Sequence, residues 1–243
     1  MTKALLLLIA LAATASAQQA AAQQPTAQPS AVTHTEYSAR TELFAEWRPL
    51  VVDRATRLTA HLTRTVERFR AFEQGKVTLT LTVGDVKATT IAEAPERAGV
   101  FRLNVTPTKD GAGRMVIDVA TDTGTEHFTV NDVPVYPTMA AAAAAAKPTD
   151  AGLISFAKER SWTEDFATAP VTSRYQGHML LVPSTAVVRD GTSTSVYVQH
   201  TPERFEFRQV GVGQTLGNLV QVTNGLRDGD RVVVRGTDKM PRQ

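Results

Sequence analysis

Five histidines are the side chains of this sequence best suited to chemistry, because the chain has no cysteine. Imidazole nitrogens bind Zn, Cu, Ni and Co, so two or three of them can make a metal site. The candidate metal ligands are His34, His61 and His127, which fall in the first, second and last strands predicted for one domain. Their spacing gives this site no support, since none forms an i, i+2 pair, and structural or surface histidines are the favoured alternative. No other cofactor is predicted.

Two methionines raise the question of a Cu(I) site. Met179 stands beside His178, but one adjacent pair cannot close a metal site. Met115 lies within a predicted strand. Both side chains are therefore predicted to pack in the core.

Catalytic motifs are missing from the sequence, which has no nucleophile elbow, phosphate loop or His-Glu-x-x-His pattern. The stretch "GVGQTLG", Gly211 to Gly217, resembles a nucleotide loop, but a strand follows it instead of a helix whose amides would hold phosphate. It is predicted to be a turn. The acidic pair Glu164-Asp165 is predicted to be solvated. A non-enzymatic protein is therefore expected.

The charge balance argues against a nucleic-acid partner. Twenty-six Lys and Arg oppose 24 Asp and Glu, and the basic residues are scattered along the sequence rather than gathered in a stripe.

The N-terminus has the pattern of a secretory signal peptide over residues 1–17. Lys3 precedes the apolar run Ala4 to Ala13, and Ala15-Ser16-Ala17 is a small-x-small cleavage site. Residues 18–32 are rich in Ala, Gln and Pro and are predicted to be a disordered tether. The expected location is the periplasm, and the lack of cysteine means that no disulfide supports the fold.

Residues 33–137 have the rhythm of an all-β domain. Val77, Leu79, Leu81 and Val83 alternate with threonines, as a half-buried strand requires. Seven short strands in this length predict an immunoglobulin-like β-sandwich. They are expected at residues 36–44, 57–66, 76–83, 86–91, 99–105, 114–120 and 127–136.

A second, smaller β domain is predicted at residues 152–243, after an Ala-rich linker over residues 138–151. The linker has helical tendency but no apolar face with which to dock. In the second domain a strand at 165–171 meets the apolar run 180–188 across the short polar bridge "TSRYQGH". Further strands are expected at residues 187–188, 195–199, 205–212, 219–222 and 231–234.

Several stretches together resemble a known family. "VTHTEYSARTELFAEWRPLVVDRATRLTAHLTR", "GVFRLNVTP" and "HFTVNDVPVYP" look like the N-terminal sandwich of some periplasmic adaptor (membrane fusion) proteins of resistance-nodulation-division efflux pumps, in the heavy-metal cation class. "GLISFAKERSWTEDFATAPV" and "VPSTAVVRDGTSTSVYVQ" through "VTNGLRDGDRVVVRG" resemble the two parts of the adaptor's membrane-proximal domain. The resemblance implies an inner-membrane pump subunit as partner, with full-length adaptor subunits as further partners, and a position peripheral to the inner membrane.

The sequence departs from this family between the two membrane-proximal parts. Family members carry a lipoyl-like domain, an α-helical hairpin and most of a β-barrel there, whereas this chain has only the bridge and no heptad pattern. In the family the hairpin reaches the outer-membrane channel, so that contact is not expected here. The strand at 165–171 is expected to pair with the C-terminal strands.

Three functions stay open at this point. The leading one is an adaptor-like accessory of a metal-cation efflux system. The second is a periplasmic metal-binding or metal-delivery protein that uses the sandwich histidines. The third is an adaptor remnant without function.

Overall fold

The computed structural model describes residues 30–66, 68–121, 124–145, 152–174 and 179–241, and these residues form twenty strands and two short α-helices. The all-β prediction is confirmed. The predicted signal peptide, most of the tether, the end of the linker and His178 lie outside the described residues.

Two five-stranded sheets make up residues 32–136, which we call the sandwich. The first sheet contains β1 Val32–Tyr37, β2 Thr41–Trp47, β4 Thr56–Arg64, β5 Arg70–Ala71 and β8 Val100–Val105. The second contains β3 Leu50–Val51, β6 Lys76–Val83, β7 Val86–Ala92, β9 Gly111–Thr121 and β10 Gly124–Tyr136. The strand predicted at 36–44 is wrong as one element, because the chain reverses at Ser38–Arg40 and β1 pairs antiparallel with β2.

The interior of the sandwich is apolar and is supplied by both sheets. The alternation noted at residues 77–83 holds in β6, whose buried side chains are Val77, Leu79, Leu81 and Val83. β9 pairs with the whole length of β6 and adds Met115, which confirms the core position predicted for that residue. Because the same alternation repeats on facing strands, one continuous core forms between the sheets.

The Ala-rich segment is α1, Met139–Ala144, and it begins at Thr138, whose side chain accepts a hydrogen bond from the Ala141 amide. The prediction that this segment has no face to dock is wrong. Ala142 is buried, and α1 lies against β3 and β10. A methyl group is small enough to bring the helix backbone close to the sheet, which explains why an alanine run can dock.

Residues 152–241, the C-terminal unit, form two further sheets. The third sheet contains β11 Ile154–Ser155, β12 Ala167–Pro170, β15 Val188–Asp190, β16 Ser193–Thr201, β17 Arg204–Gln209 and β20 Arg231–Arg235. The fourth contains β13 Thr172–Arg174, β14 Met179–Pro183, β18 Gly211–Leu216 and β19 Leu219–Asn224. Helix α2, Arg160–Thr163, precedes β12, and single 3₁₀ turns follow β14 (Ser184–Ala186) and β20 (Thr237–Lys239).

The expected pairing of the strand near 165–171 with the C-terminal strands is confirmed, since β12 pairs antiparallel with β20. The first three residues of the polar bridge form β13 itself, which runs antiparallel to β14 from Thr172 opposite Leu181 to Arg174 opposite Met179. The start of the bridge is therefore one arm of a β-hairpin whose other arm is β14.

Two expectations for this unit are wrong. The strand predicted at 205–212 divides at Val210, where the chain passes from the third sheet to the fourth. The "GVGQTLG" stretch is not a turn but strand β18 with the turn only at its end, where Gly217 adopts φ +62° before β19. A glycine-rich stretch is compatible with an edge strand when side chains of the neighbouring strand lie close to its backbone, as Asn224 does at Gly211.

Candidate functional site

The outer face of the first sheet carries polar side chains that are nevertheless buried. Along β2, Leu43 points into the sandwich core, while Glu42 and Phe44 point to the other side and are each only 1% exposed. Glu42 lies opposite Thr63 of β4, and Phe44 lies opposite His61. This face is buried because the C-terminal unit covers it, and we call the contact the junction.

The covering segment includes the residues around α2. Trp162 donates a hydrogen bond from Nε1 to Thr63 Oγ1 at 2.8 Å and lies 6.2 Å, between ring centroids, from His61. Gly99 permits this approach, since a Cβ on it would lie 2.5 Å from the indole ring and its φ is +77°. Arg97, two residues earlier, forms a salt bridge with Glu159 at 2.5 Å.

A buried ion pair joins Glu42 of the sandwich to Lys158 of the C-terminal unit, and both side chains are 1% exposed. Thr63 Oγ1 donates to Glu42 Oε1 at 3.2 Å and Tyr37 donates to Glu42 Oε2 at 2.8 Å, so the carboxylate has a partner for each oxygen. Burial lowers the pKa of Lys158, and the negative charge of Glu42 opposes this shift. The Lys158 ammonium also lies 5.2 Å from the centroid of the Phe69 ring.

The network continues from Tyr37 into the third sheet. Gln199 of β16 donates to the Tyr37 hydroxyl at 2.8 Å, and the Arg231 guanidinium lies 3.8 Å from the centroid of the tyrosine ring. Burial raises the pKa of Tyr37, and the carboxylate of Glu42 raises it further. Tyr37 therefore stays protonated and donates to Glu42 throughout the physiological range.

An aromatic cluster borders the ion pair. Phe69, from the chain between β4 and β5, meets Phe166 edge-on at a centroid distance of 6.3 Å. Phe166 stacks on Phe156 at 4.6 Å, and Phe205 completes the cluster. The sandwich thus inserts an aromatic side chain into the core of the C-terminal unit.

The three histidines predicted as metal ligands lie on different faces. His34 shares a row with Ala45, whose side chain belongs to the core face, whereas His61 points to the junction. His127 lies on β10 of the second sheet and contacts Asp118 at 2.7 Å. In the described ranges no group of three or more His, Asp or Glu side chains could hold a metal ion. The structure does not bring these histidines together, and metal binding by any single one stays a prediction.

His61 is the most enclosed of the three. Its ring lies 5.4 Å from Phe44 between centroids, and neither ring nitrogen has a hydrogen-bond partner among the described residues. The nearest carboxylate is Glu46, whose Oε1 is 3.6 Å from Nε2. The ring acts as a packing group between two aromatic side chains, which is the structural role that the sequence left open.

His200 belongs to a separate ion cluster on the surface of the third sheet. Its Nε2 lies 2.8 Å from Glu206, which also accepts two hydrogen bonds from Arg208, at 2.6 and 2.9 Å. The hydrogen bonds from Arg208 lower the pKa of Glu206 to about 2, and His200 contributes to the shift. Arg208 also contacts Asp230 at 3.1 Å, in the turn before β20.

The sequence did not single out the junction. Glu42 and Lys158 look like solvated charges when only their neighbours in the chain are considered. The one usable signal was a strand with apolar residues at successive positions, Leu43 to Ala45, which is typical of burial on both faces. That signal indicates that a second layer covers the sheet but not which residues supply it.

Glu42, Lys158 and His61 of the junction are closed to solvent, and their contacts hold the two β units together. None of the helices in the described part is both long and apolar enough to cross a membrane.

Comparison with known proteins matches the C-terminal part of the chain to a family model. Residues 179–241 match the model described as "YknX, C-terminal permuted SH3-like domain". These residues contain β14 to β20. A search of curated proteins gives no match.

Among solved structures, the chain is similar to ZneB from Cupriavidus metallidurans at 15% sequence identity and a TM-score of 0.23. The alignment covers 74% of this chain and 40% of ZneB. The chain thus spans well under half of that protein's length, and a score this low does not establish a shared overall fold.

Proposed function

We propose that the protein is a non-enzymatic, adaptor-like component of an efflux assembly that exports metal cations, located in the periplasm at the inner membrane. The observation that carries the proposal is the match of residues 179–241 to the family model of the YknX C-terminal permuted SH3-like domain. These residues fall in the same part of the chain whose sequence resembles the closing part of the membrane-proximal domain of membrane fusion proteins. The heavy-metal class and the inner-membrane pump partner come from that sequence resemblance.

The hairpin of β13 and β14 supports the proposal from the structure. In the family that the sequence resembles, the membrane-proximal domain is built from strands on both sides of a long excursion. Here β12 precedes the bridge, β13 is the first part of the bridge and β14 to β20 follow it, and β12 pairs with β20. The unit therefore keeps its sheets paired although the two parts are joined directly.

The junction supports a positioning role. Contacts from the sandwich reach both the Lys158 segment and the third sheet, through Glu42 and Tyr37 respectively. Fixing the sandwich at one angle to the membrane-proximal-like unit is a mechanical function that suits an adaptor and needs no titrating group or cofactor.

Co-purification tests the proposal. The tagged chain is expressed with an inner-membrane pump subunit of the heavy-metal class, and a full-length adaptor serves as the positive control. We expect the pump subunit to be enriched with the chain above the level of an unrelated periplasmic β protein. Absence of enrichment, under conditions in which the full-length adaptor enriches the pump, would overturn the proposal.

Two exposed segments are the proposed contact with the pump, the end of strand β15 at Arg189-Asp190 and the turn from Arg227 to Asp230. This turn is held by Asp230, which accepts from the Arg227 amide at 3.0 Å. An Arg189→Ala/Arg227→Ala variant removes two exposed side chains and leaves this bond intact, so it is expected to fold and to lose pump enrichment. A matched Arg57→Ala/Lys87→Ala variant, on the sandwich, is expected to retain it.

A further inference from the structure

A cleft of about 800 Å³ opens beside the junction, between the sandwich and α2. Its sandwich wall comes from the region around β5 and from Arg97-Ala98, and its other wall comes from Glu159, Trp162 and Thr163. Four arginines line it: Arg64, Arg68, Arg70 and Arg97.

A second cleft of about 350 Å³ continues the first, since both are lined by Arg64, Arg70 and Thr121. It adds Arg40 and the side chain of Val66, which is 52% exposed. We call the two clefts together the Arg groove. Five arginines therefore line one continuous surface. Three of them lie between residues 64 and 70, and the sequence did not predict that Arg40 and Arg97 join them.

The acidic residues of the Arg groove are fewer than its arginines. Among the described residues three acidic side chains line it, Glu73, Glu126 and Glu159, against five arginines, so the lining keeps an excess of positive charge. Glu159 also forms a salt bridge with Arg97. Burial alone would raise the pKa of Glu159, but hydrogen bonds from its own backbone and from Arg97 lower it, so the carboxylate stays charged.

Three guanidinium groups of the Arg groove are available to a ligand. Within the described part of the chain, the side chains of Arg40, Arg68 and Arg70 make no salt bridge or hydrogen bond, and all three residues are exposed. A guanidinium presents donors in a fixed fork that matches a carboxylate. The Arg groove thus offers several guanidinium groups to a ligand at separate points along its length.

The apolar part of the lining favours a polypeptide ligand over a bare ion. Val66, Phe72 and the Trp162 ring lie among the arginines, and the Arg64 guanidinium lies 4.9 Å from the centroid of the Phe72 ring. Arginine beside aromatic side chains is typical of protein–protein hot spots. A concave surface also cannot lie flat against a bilayer, so the ligand must be able to enter it.

We propose that the Arg groove binds an acidic peptide segment of a partner protein, whose carboxylates engage Arg40, Arg68 and Arg70 and whose apolar side chains contact Val66 and Trp162. This site is independent of the proposed efflux function, because it rests only on the lining of the groove. A ligand here would contact both β units at once.

A labelled hexaglutamate peptide tests this site by fluorescence anisotropy with the full chain. We expect binding that weakens as salt rises. The Arg68→Gln/Arg70→Gln variant is expected to bind about tenfold more weakly. The matched Arg57→Gln/Lys87→Gln variant loses the same charge at exposed positions of the sandwich outside the Arg groove, and its affinity is expected to change by less than about twofold. Thermal unfolding checks that both variants fold.

Two results would overturn the proposal. One is no binding of hexaglutamate by the unmodified chain, or an equal loss in both variants, which would mean that general charge attraction suffices. The other is a different ligand: competition by inorganic phosphate as effective as by unlabelled hexaglutamate, or binding of phosphatidylglycerol vesicles that depends on Arg68 and Arg70. If the pump co-purifies normally with the Arg68→Gln/Arg70→Gln variant, the proposed efflux function does not depend on this site.

Discussion

The interior of the sandwich and the junction are both closed to solvent, yet they are built from opposite kinds of side chain. The interior is formed by apolar residues from both sheets, as the alternation in β6 illustrates. The junction contains a carboxylate, an ammonium, a phenol and an imidazole, each only a few per cent exposed except the phenol. The two faces of the first sheet are thus buried by different kinds of side chain, apolar on one face and polar or charged on the other.

The two buried surfaces differ in how precisely they fix the arrangement of the parts that they join. Apolar packing is non-directional and tolerates swaps that keep volume. The Glu42 carboxylate instead has its partners at defined positions, Lys158, Thr63 and Tyr37, so only one relative arrangement of the two β units satisfies all of them. We infer that the interior supplies stability and that the junction supplies orientation.

The largest effect is expected when the buried ion pair is broken. Glu42→Gln keeps the shape of the side chain but leaves the Lys158 ammonium buried without a counter-charge. Breaking one partner of such a pair costs about 3–5 kcal/mol. Urea unfolding of the purified chain measures the loss.

Two variants control this result. Glu42→Gln/Lys158→Met removes both charges and is expected to recover stability to within about 1–2 kcal/mol of the unmodified chain. Leu79→Met, a swap of similar volume in the sandwich interior, is expected to cost less than about 1.5 kcal/mol. A Glu42→Gln variant no less stable than Leu79→Met would remove the distinction between the two regions.

A smaller loss is expected at Gly99, where the backbone of the sandwich meets Trp162. A Cβ there would lie 2.5 Å from the indole, and the positive φ adds strain. Gly99→Ala is expected to lower the free energy of unfolding by about 2–3 kcal/mol, from strain and displacement of the ring. Gly191→Ala is the matched control, since Gly191 has φ +56° with nothing near its Cβ position. Equal losses in the two variants would show that the indole contact has no effect.

The surface cluster at Glu206 provides a contrast in pH dependence. Its pKa is lowered from 4.5 to about 2, so its contribution to stability is present above pH 4.5 and is lost as the pH falls towards about 2. The melting temperature is expected to fall less steeply between these pH values for Glu206→Gln than for the unmodified chain. Since the carboxylate is 36% exposed, added salt should weaken the effect. Identical slopes would mean that the cluster does not stabilise the fold.

The smallest effect is expected at His61. Its ring nitrogens are buried without hydrogen bonds in the described structure, so His61→Phe removes two unsatisfied polar atoms and keeps an aromatic ring beside Phe44 and Trp162. Stability is expected to stay within about 1 kcal/mol of the unmodified chain or to rise. A larger loss in thermal unfolding would indicate that the imidazole has a polar role at the junction.

The sandwich interior was predictable because its signal is local. Val77 to Val83 alternate in the sequence as they do in the sheet. Six of the seven predicted strands each correspond to one observed strand, and the seventh, at 36–44, covers parts of β1 and β2. The short strands β3 and β5 were missed, since two residues carry no period. The division at Val210 was missed because a strand that changes sheets keeps its propensity while it changes its partner.

The junction and the Arg groove could not be predicted for a different reason. Glu42 and Lys158 are more than a hundred positions apart, and nothing near either residue indicates the other. Likewise, the arginines from Arg40 to Arg97 converge only because β4, β5 and the chain before β8 meet at one end of the sheet. Such sites depend on the topology, which the sequence pattern constrains only weakly.

We infer that the junction holds the two β units in one orientation, and the distance between a labelled position on each unit tests this inference. The chain has no cysteine, so Thr89→Cys and Arg189→Cys place two spin labels without interference, at exposed positions on β7 and β15. Pulsed electron paramagnetic resonance is expected to give one narrow distance distribution, which broadens when Glu42→Gln is added. A broad distribution in the chain with intact Glu42, or a narrow one that Glu42→Gln does not change, would contradict the claim.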